Sequence, residues 1–247
     1  HYDAIRMDDD LIGEILRGLE SAGLAENTIV AYFSDHGANN LVRHKQMATE
    51  GGLQVPFIIM GPEAWIPQQQ VREDLVDLLD LSATTLAWAG IKKPTWYSGQ
   101  DLFDDDFKER RFVGAHKDRL DHTIDRVRTI RTDQYRYVRN YKLDRIFLQP
   151  QYRDKKNYTQ NLHQLYHEKK LSARHREIYF GERPAEELYD VSIDPHMMID
   201  LAGNSDYADE LDRHQAMMDE WLAAGDMGEG DESCLLYTSD AADEDLR

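Results

Sequence analysis

Residues 27–62, NTIVAYFSDHGANNLVRHKQMATEGGLQVPFIIMGP, set two β-branched and aromatic runs, Ile29–Phe33 and Val55–Met60, on either side of a polar insert. Each run has strand length, lacks polar alternation and is bounded by turn residues, which predicts strands buried on both faces of an α/β sheet. The insert between them carries Asp35, His36, Arg43, His44, Lys45 and Glu50. In open α/β sheets ligands bind beyond the carboxyl ends of the strands, and the turn Ser34–Gly37 directly follows such an end. Asp35 and His36, adjacent in that turn, can both reach one point. A carboxylate there suits a hard divalent cation. The imidazole can serve as a nitrogen ligand, as a general acid or base, or as a hydrogen bond within the loop. Arg43, His44 and Lys45 bring positive charge of the kind that holds a tetrahedral oxyanion, or else form a solvated basic loop. Glu50-Gly51-Gly52 supplies a turn at which backbone can come close, with Glu50 able to pair with a base.

The rest of the chain reads as scaffold. From Asp3 to Ser21 the residues Ile5, Leu11, Ile12, Ile15, Leu16 and Leu19 recur three and four apart, an amphipathic helix expected to end at Gly23 and to pack one stripe on the sheet. Asp8, Asp9 and Asp10 point in different directions on such a helix, so a solvated face outweighs a metal-binding reading. Helix, strand, polar loop and strand in succession follow the crossover logic of an α/β domain. Val71–Ala89 is mostly helical in pattern, and Asp74, Asp77 and Asp80 read as surface or capping acids.

A boundary falls across Lys92–Arg110, where Pro94, Gly99 and Asp104-Asp105-Asp106 break any period. Residues 111–141 then alternate as short antiparallel strands with a hairpin turn at Thr132-Asp133-Gln134. The run RVRTIRTDQYRYVRNY could suggest RNA binding, but strict alternation favours arginines on the wet face of a sheet. Residues 159–170 read as helix, Glu186–Asp190 as a short strand and Tyr207–Ala224 as a closing amphipathic helix.

Net charge is −18, with eight acids and one base from Asp226 onward, so residues 1–225 keep −11. An acidic surface argues against a nucleic-acid partner, although local charge at a site can oppose the net charge and so admit an anionic small substrate. No apolar run approaches the roughly 20 residues that span a bilayer, so no membrane partner is expected. The only cysteine, Cys234, lies in CLLYTSDAADE at residues 234–244, which resembles translated sequencing adapter and is set aside from the fold. The chain opens on His1-Tyr2 with a helical pattern under way, as a piece of a longer protein would.

A helix ending in Gly-Leu, then NTIVxxxSDHG, a basic insert with Lys45, and EGGLxVPFIIxGP together resemble the C-terminal portion of a type I, formylglycine-dependent sulfatase of the alkaline-phosphatase-like superfamily. DRVRTIRTDQYRYVRNY and RPAEELYDVSIDP resemble that family's second-sheet strands and closing segment, so the likeness runs from about residue 2 to residue 224. The closing motif of the family usually continues with an acid and then Asn-Leu, where this chain has Met197 and Asp200-Leu201.

The resemblance implies an α/β fold: the C-terminal part of a mixed sheet with flanking helices over residues 1–98, and a subdomain with a small antiparallel sheet and closing helix over 99–228. Residues 229–247 would be a disordered tail outside it. It also implies hydrolysis of a sulfate ester or N-sulfate of a small molecule or glycan, with Asp35 and His36 as ligands of one Ca²⁺ and Lys45 on the sulfate oxygens. Lys45 and His36 would be the catalytic residues, and Lys45, Arg43, His44 and His116 the substrate contacts. His116, Lys117 and Arg119 read otherwise as a surface turn. The formylglycine nucleophile of the family arises from a CxPSR or SxPSR motif, which these 247 residues do not contain. The chain alone is therefore expected to be inactive, and the parent to be periplasmic or extracellular in a bacterium. Two alternatives remain: a phosphate mono- or diester hydrolase of the same superfamily, and a non-catalytic truncated scaffold.

Overall fold

The structure, a computed structural model, describes residues 2–120 and 123–225. The expected tail over 229–247, with Cys234, lies outside the described residues. The chain divides into two compact units that interleave in sequence. The first comprises the residues up to Asp35, Val55–Asp74 and Leu78–Lys108; the second comprises His36–Gln54, Leu75–Asp77 and Glu109 onward. The polar insert thus leaves the first unit at His36 and returns to it at Val55, whereas the sequence pattern keeps it with residues 1–98.

The first unit holds helix α1 (Tyr2–Ser21), strands β1 (Val30–Phe33) and β2 (Phe57–Met60), and helix α3 (Leu78–Trp88); the short helix α2 (Glu50–Leu53) belongs to the insert. Helix α1 stops where Gly23 takes φ 68°, the left-handed turn that glycine adopts without a Cβ penalty. Its apolar stripe does not form a packed face: Ile12, Leu16 and Leu19 are half-buried, while Ile5, Leu11 and Ile15 are exposed. Strands β1 and β2 pair antiparallel, Val30 opposite Met60 and Phe33 opposite Phe57, so no crossover joins them. Nor are they buried on both faces, since Tyr32, Phe33, Ile58 and Met60 all stay exposed. The helix predicted over Val71–Ala89 begins only at Leu78. Asp80, expected at the surface, is fully buried, accepting from the Gln100 backbone N–H at 2.7 Å. Next to it the Thr84 hydroxyl accepts from the Leu102 N–H at 2.9 Å, so two side chains of α3 satisfy the loop that follows.

In the second unit β3 (Val113–Leu120), β4 (Thr123–Arg131), β5 (Tyr135–Asn140) and β6 (Glu186–Asp190) form an antiparallel meander in chain order. Helices α4 (Asn157–His167), α5 (Ala173–Phe180) and α6 (Ala208–Gly225) complete it, α5 having carried no clear signal in the sequence. The period of two separates the sheet faces. Ile130, Tyr137 and Leu188 point to α6 and meet Met217, Met218, Leu211 and Trp221. Val127, Val138 and Tyr189 point the other way, onto Val191, Met197 and Ala48 of the insert.

Both faces are covered, which corrects the reading of the arginines as a solvated row. Arg128 and Arg136 are buried, and four arginines of the run each have a carboxylate brought to them by another segment: Asp118 for Arg128, Glu50 for Arg131 and Arg136, Asp219 for Arg139. The alternation follows the register, but most of the covering acids lie far away in sequence. A further buried pair sits between β3 and β4. Lys117 reaches Asp125 at 2.7 Å, and Arg183 reaches the same carboxylate at 2.7 Å. Burial would raise the Asp125 pKa, yet the hydrogen bond and charge of Arg183, with the charge of Lys117, outweigh it and hold the group far below the usual carboxylate range. His116, Lys117 and Arg119 accordingly lie within a strand and not on a surface turn.

Helix α6 is pinned by His214, fully buried, whose Nε2 lies 3.1 Å from the Thr132 hydroxyl and Nδ1 2.8 Å from the Glu210 carbonyl. Burial lowers its pKa, and the backbone and charge of Glu210 only partly oppose this. The folded state therefore binds this proton less readily than the unfolded chain, whose imidazole titrates near 6.5. The linked stability is complete above that value and declines as pH falls through it. Urea midpoints measured at pH 7.5 and 5.5 should show this loss in the unsubstituted chain and a smaller one in His214→Gln.

Candidate functional site

The insert His36–Gln54 is a closed loop whose two ends are locked by glycine against glycine. The Gly37 N–H donates to the Gly52 carbonyl at 3.0 Å, and a Cβ on Gly37 would fall on the Gly51 carbonyl oxygen. A Cβ on Gly52 would likewise strike the Met47 and His44 carbonyls. These contacts, not turn conformations, are why the stretch needs glycine: backbone must touch backbone. The Glu50-Gly51-Gly52 turn of the sequence reading is the first turn of α2, which buries Glu50 and Gly52.

Three charged anchors fasten this loop to the rest of the second unit. Glu50 Oε1 accepts from Arg136 Nε at 2.6 Å and from Arg131 Nε at 3.1 Å, with Glu50 and Arg136 both about 5% exposed at their side chains. Burial lowers the Arg136 pKa, and the charge and hydrogen bond of the Glu50 carboxylate oppose it. Arg43 Nη1 donates to the carbonyls of His196 at 2.7 Å and Met197 at 3.0 Å. Arg153, 1% exposed, donates from Nη1 to the Asn39 carbonyl at 3.2 Å and from Nη2 to the Lys45 carbonyl at 3.0 Å.

These anchors sort the candidate residues. Arg43 commits Nη1 to the two carbonyls, and its guanidinium carbon lies 5.9 Å from the centre of the Phe147 ring. His44 lies against Gly51; burial lowers its pKa, a hydrogen bond with the Gly51 backbone opposes this, and the charges of His196 and Arg43 add to it. The uncharged form of the ring is therefore favoured more than in a free imidazole. Lys45 has no ion-pair partner among the described residues. His36 is half-buried with Nδ1 2.8 Å from the Gly37 carbonyl. Asp35, exposed, is the last residue of the first unit before the insert. His116 stands exposed on β3, opposite Arg128 in register.

The donor set does not by itself fit Ca²⁺. That ion takes about 6–8 oxygen ligands. Among the described residues no group of three or more His, Cys, Asp or Glu could hold a metal. The Asp35 carboxylate suits a hard cation and the His36 imidazole suits it poorly, so the pair falls well short of a coordination shell.

Sequence reasoning missed Arg153 altogether, because an arginine in the polar run QYRDKKNY carries no periodic signal. Gly37 could have been found, since a glycine directly after the Asp-His pair marks close backbone approach.

Residues 1–91 match the family model described as Sulfatase. Those residues are a sulfatase-family segment. Beyond them, an ulvan-active sulfatase of Formosa agariphila is 32% identical over 238 residues, covering 95% of this chain and 40% of that protein. A second ulvan-active sulfatase of the same organism is 27% identical, covering 91% of this chain and 43% of that protein. The chain thus spans about two fifths of the length of these two relatives. Among solved structures a phosphonate monoester hydrolase of Agrobacterium radiobacter superposes with TM-score 0.58 at 17% identity, covering 87% of this chain and 39% of that one. The mixed α/β fold is therefore shared by sulfatases and by an enzyme of phosphorus chemistry, and the fold alone does not choose between the two anions.

The glycine lock generates a direct test. Gly37→Ala should cost about 1–3 kcal/mol by overpacking and should open the loop, read as faster tryptic cleavage after Arg43 and Lys45 with β4 and β5 still protected.

Proposed function

We propose that this chain is part of a sulfatase that hydrolyses a sulfate ester or N-sulfate of a carbohydrate. The observation that carries the reading is the sorting of the insert's basic residues: Arg43 Nη1 is bonded to two backbone carbonyls, burial disfavours the charged form of His44, and Lys45 has no ion-pair partner among the described residues, on a clamped backbone. A fixed cation of this kind is what developing negative charge on transferred sulfate oxygens requires. Identity of 32% along 95% of the chain to an ulvan-active sulfatase supports the sulfated-carbohydrate class.

In this reading Lys45 contacts the sulfate oxygens and stabilises their charge, His44 offers a hydrogen bond beside it, and Arg43 acts by holding the loop. Asp35, with His36, contributes part of a Ca²⁺ site completed by residues outside this chain. His116 remains a candidate sugar contact from β3. A formylglycine in the parent supplies the nucleophile, and the parent works in the periplasm or outside the cell. No helix among the described residues is long and apolar enough to cross a membrane. The 247 residues alone, without a CxPSR or SxPSR motif, do not turn over substrate.

The second reading, a phosphate or phosphonate ester hydrolase, draws on the phosphonate monoester hydrolase among the structural neighbours. The test uses the parent protein with a sulfated oligosaccharide and the matching phosphate monoester as competing substrates. Lys45→Ala is expected to lower kcat/KM for the sulfate substrate about a hundredfold, with a CxPSR or SxPSR motif present upstream. Faster turnover of the phosphate ester than of the sulfate ester would favour the second reading, and aryl sulfate hydrolysis by residues 1–247 that disappears in Asp35→Ala would refute the inactivity of the chain alone.

A further inference from the structure

Arg153 is, among the described residues, the most deeply buried cation of the second unit that has no carboxylate. Its side chain is 1% exposed, and its hydrogen bonds go to neutral oxygens: Nε to Gln151 Oε1 at 2.8 Å, Nη1 to the Asn39 carbonyl at 3.2 Å, Nη2 to the Lys45 carbonyl at 3.0 Å and to Gln46 Oε1 at 3.4 Å. A buried ion without a counter-charge is costly to desolvate. Elsewhere in this unit buried arginines take a carboxylate, as Arg136 takes Glu50 and Arg183 takes Asp125.

What Arg153 grips is equally specific. Its acceptors bracket residues 39–46, the half of the insert that carries Arg43, His44 and Lys45. Directly after Lys45, Gln46 sits at φ 68°, a left-handed conformation that a non-glycine residue holds only when its surroundings impose it. The guanidinium bonds both the carbonyl before this residue and its side chain. The segment that presents Arg153 is a single 3-10 turn over Tyr152–Lys155 closed by a capping box between Gln151 and Asp154. From the same segment Tyr152 donates its hydroxyl to Asn39 Oδ1 at 3.1 Å, a second hold on the near end of the loop.

We infer that Arg153 is a positioning residue for Lys45: it fixes the backbone from which the Lys45 ammonium projects, and its own uncompensated charge makes that loop a positive pole for a tetrahedral oxyanion. The anion part rests on the reading of Lys45 as a sulfate contact; the positioning part does not. Arg153 acts through Lys45 and need not touch substrate.

The test is made on the 247-residue chain with reductively ¹³C-methylated lysines, the Lys45 resonance being assigned by its loss in Lys45→Arg. The Trp221 indole signal reports whether the sheet and α6 are intact. In Arg153→Met the Lys45 resonance is expected to move to the position of a solvent-exposed lysine, and tryptic cleavage of the unmethylated chain after Lys45 to rise about tenfold or more, with Trp221 unchanged. Arg153→Lys keeps the buried charge and the fold but cannot span the same acceptors, so it should recover less than half of either effect; it also decides the matter if Arg153→Met disturbs Trp221. Inorganic sulfate should shift the Lys45 resonance of the unsubstituted chain and leave that of Arg153→Met in place. Lys45 unchanged in position and cleavage in both variants would overturn the positioning role. A displaced Lys45 in the variants, with no sulfate response in the unsubstituted chain, would uphold positioning and overturn the anion contact.

Discussion

The Glu50 carboxylate, held between Arg136 at 2.6 Å and Arg131 at 3.1 Å, is the interaction on which the second unit's arrangement depends. It joins a four-residue helix of the insert to the central strands of the meander, and it does so out of water. Removing one partner of such a pair costs about 3–5 kcal/mol, a large fraction of a domain's total stability. Without Glu50 two guanidiniums would lie on one covered sheet face with no acid between them. The insert is therefore a structural part of the C-terminal sheet as well as the carrier of the candidate site.

That dual role explains how the insert's charges divide. A loop rich in Arg, His and Lys would repel itself if all three stayed solvated and charged together. Here Arg43 Nη1 is taken up by carbonyl acceptors at 2.7 and 3.0 Å, and the charged form of His44 is disfavoured by burial first and by neighbouring positive charge as well. The Lys45 ammonium has no ion-pair partner among the described residues. The glycine contacts at Gly37 and Gly52 make this compact, since they close the loop by backbone alone and leave its side chains for anchoring and for the site.

Much of this was legible from the sequence, and the failures have physical causes. The landmarks NTIVxxxSDHG and EGGLxVPFIIxGP carried the family, and alternation carried β4, β5 and their hairpin. Burial was misjudged in both directions. β1 and β2 are apolar enough for a doubly covered sheet, yet Ile58 and Met60 are exposed in the residues described. The arginines of RVRTIRTDQYRYVRNY look solvated by period, but Glu50, Asp118 and Asp219 cover them, and no local pattern announces a partner 81 or 80 residues away. Asp80 looked like a surface acid because helix periodicity says nothing of a backbone N–H at Gln100 that needs an acceptor. In the candidate site the residue types were readable but not their employment: chemistry alone cannot tell a substrate-binding arginine from one clamping carbonyls.

The most direct measurement is native-state hydrogen exchange of the insert against the sheet. If Glu50, Arg43 and Arg153 fasten the loop as described, the amides of Gly37, Met47 and Gly52 should exchange with the same opening free energy as those of Ile130 and Tyr137 in β4 and β5, because loop and sheet open as one cooperative unit. Insert amides that exchange orders of magnitude faster, while the strand amides remain protected, would contradict the account.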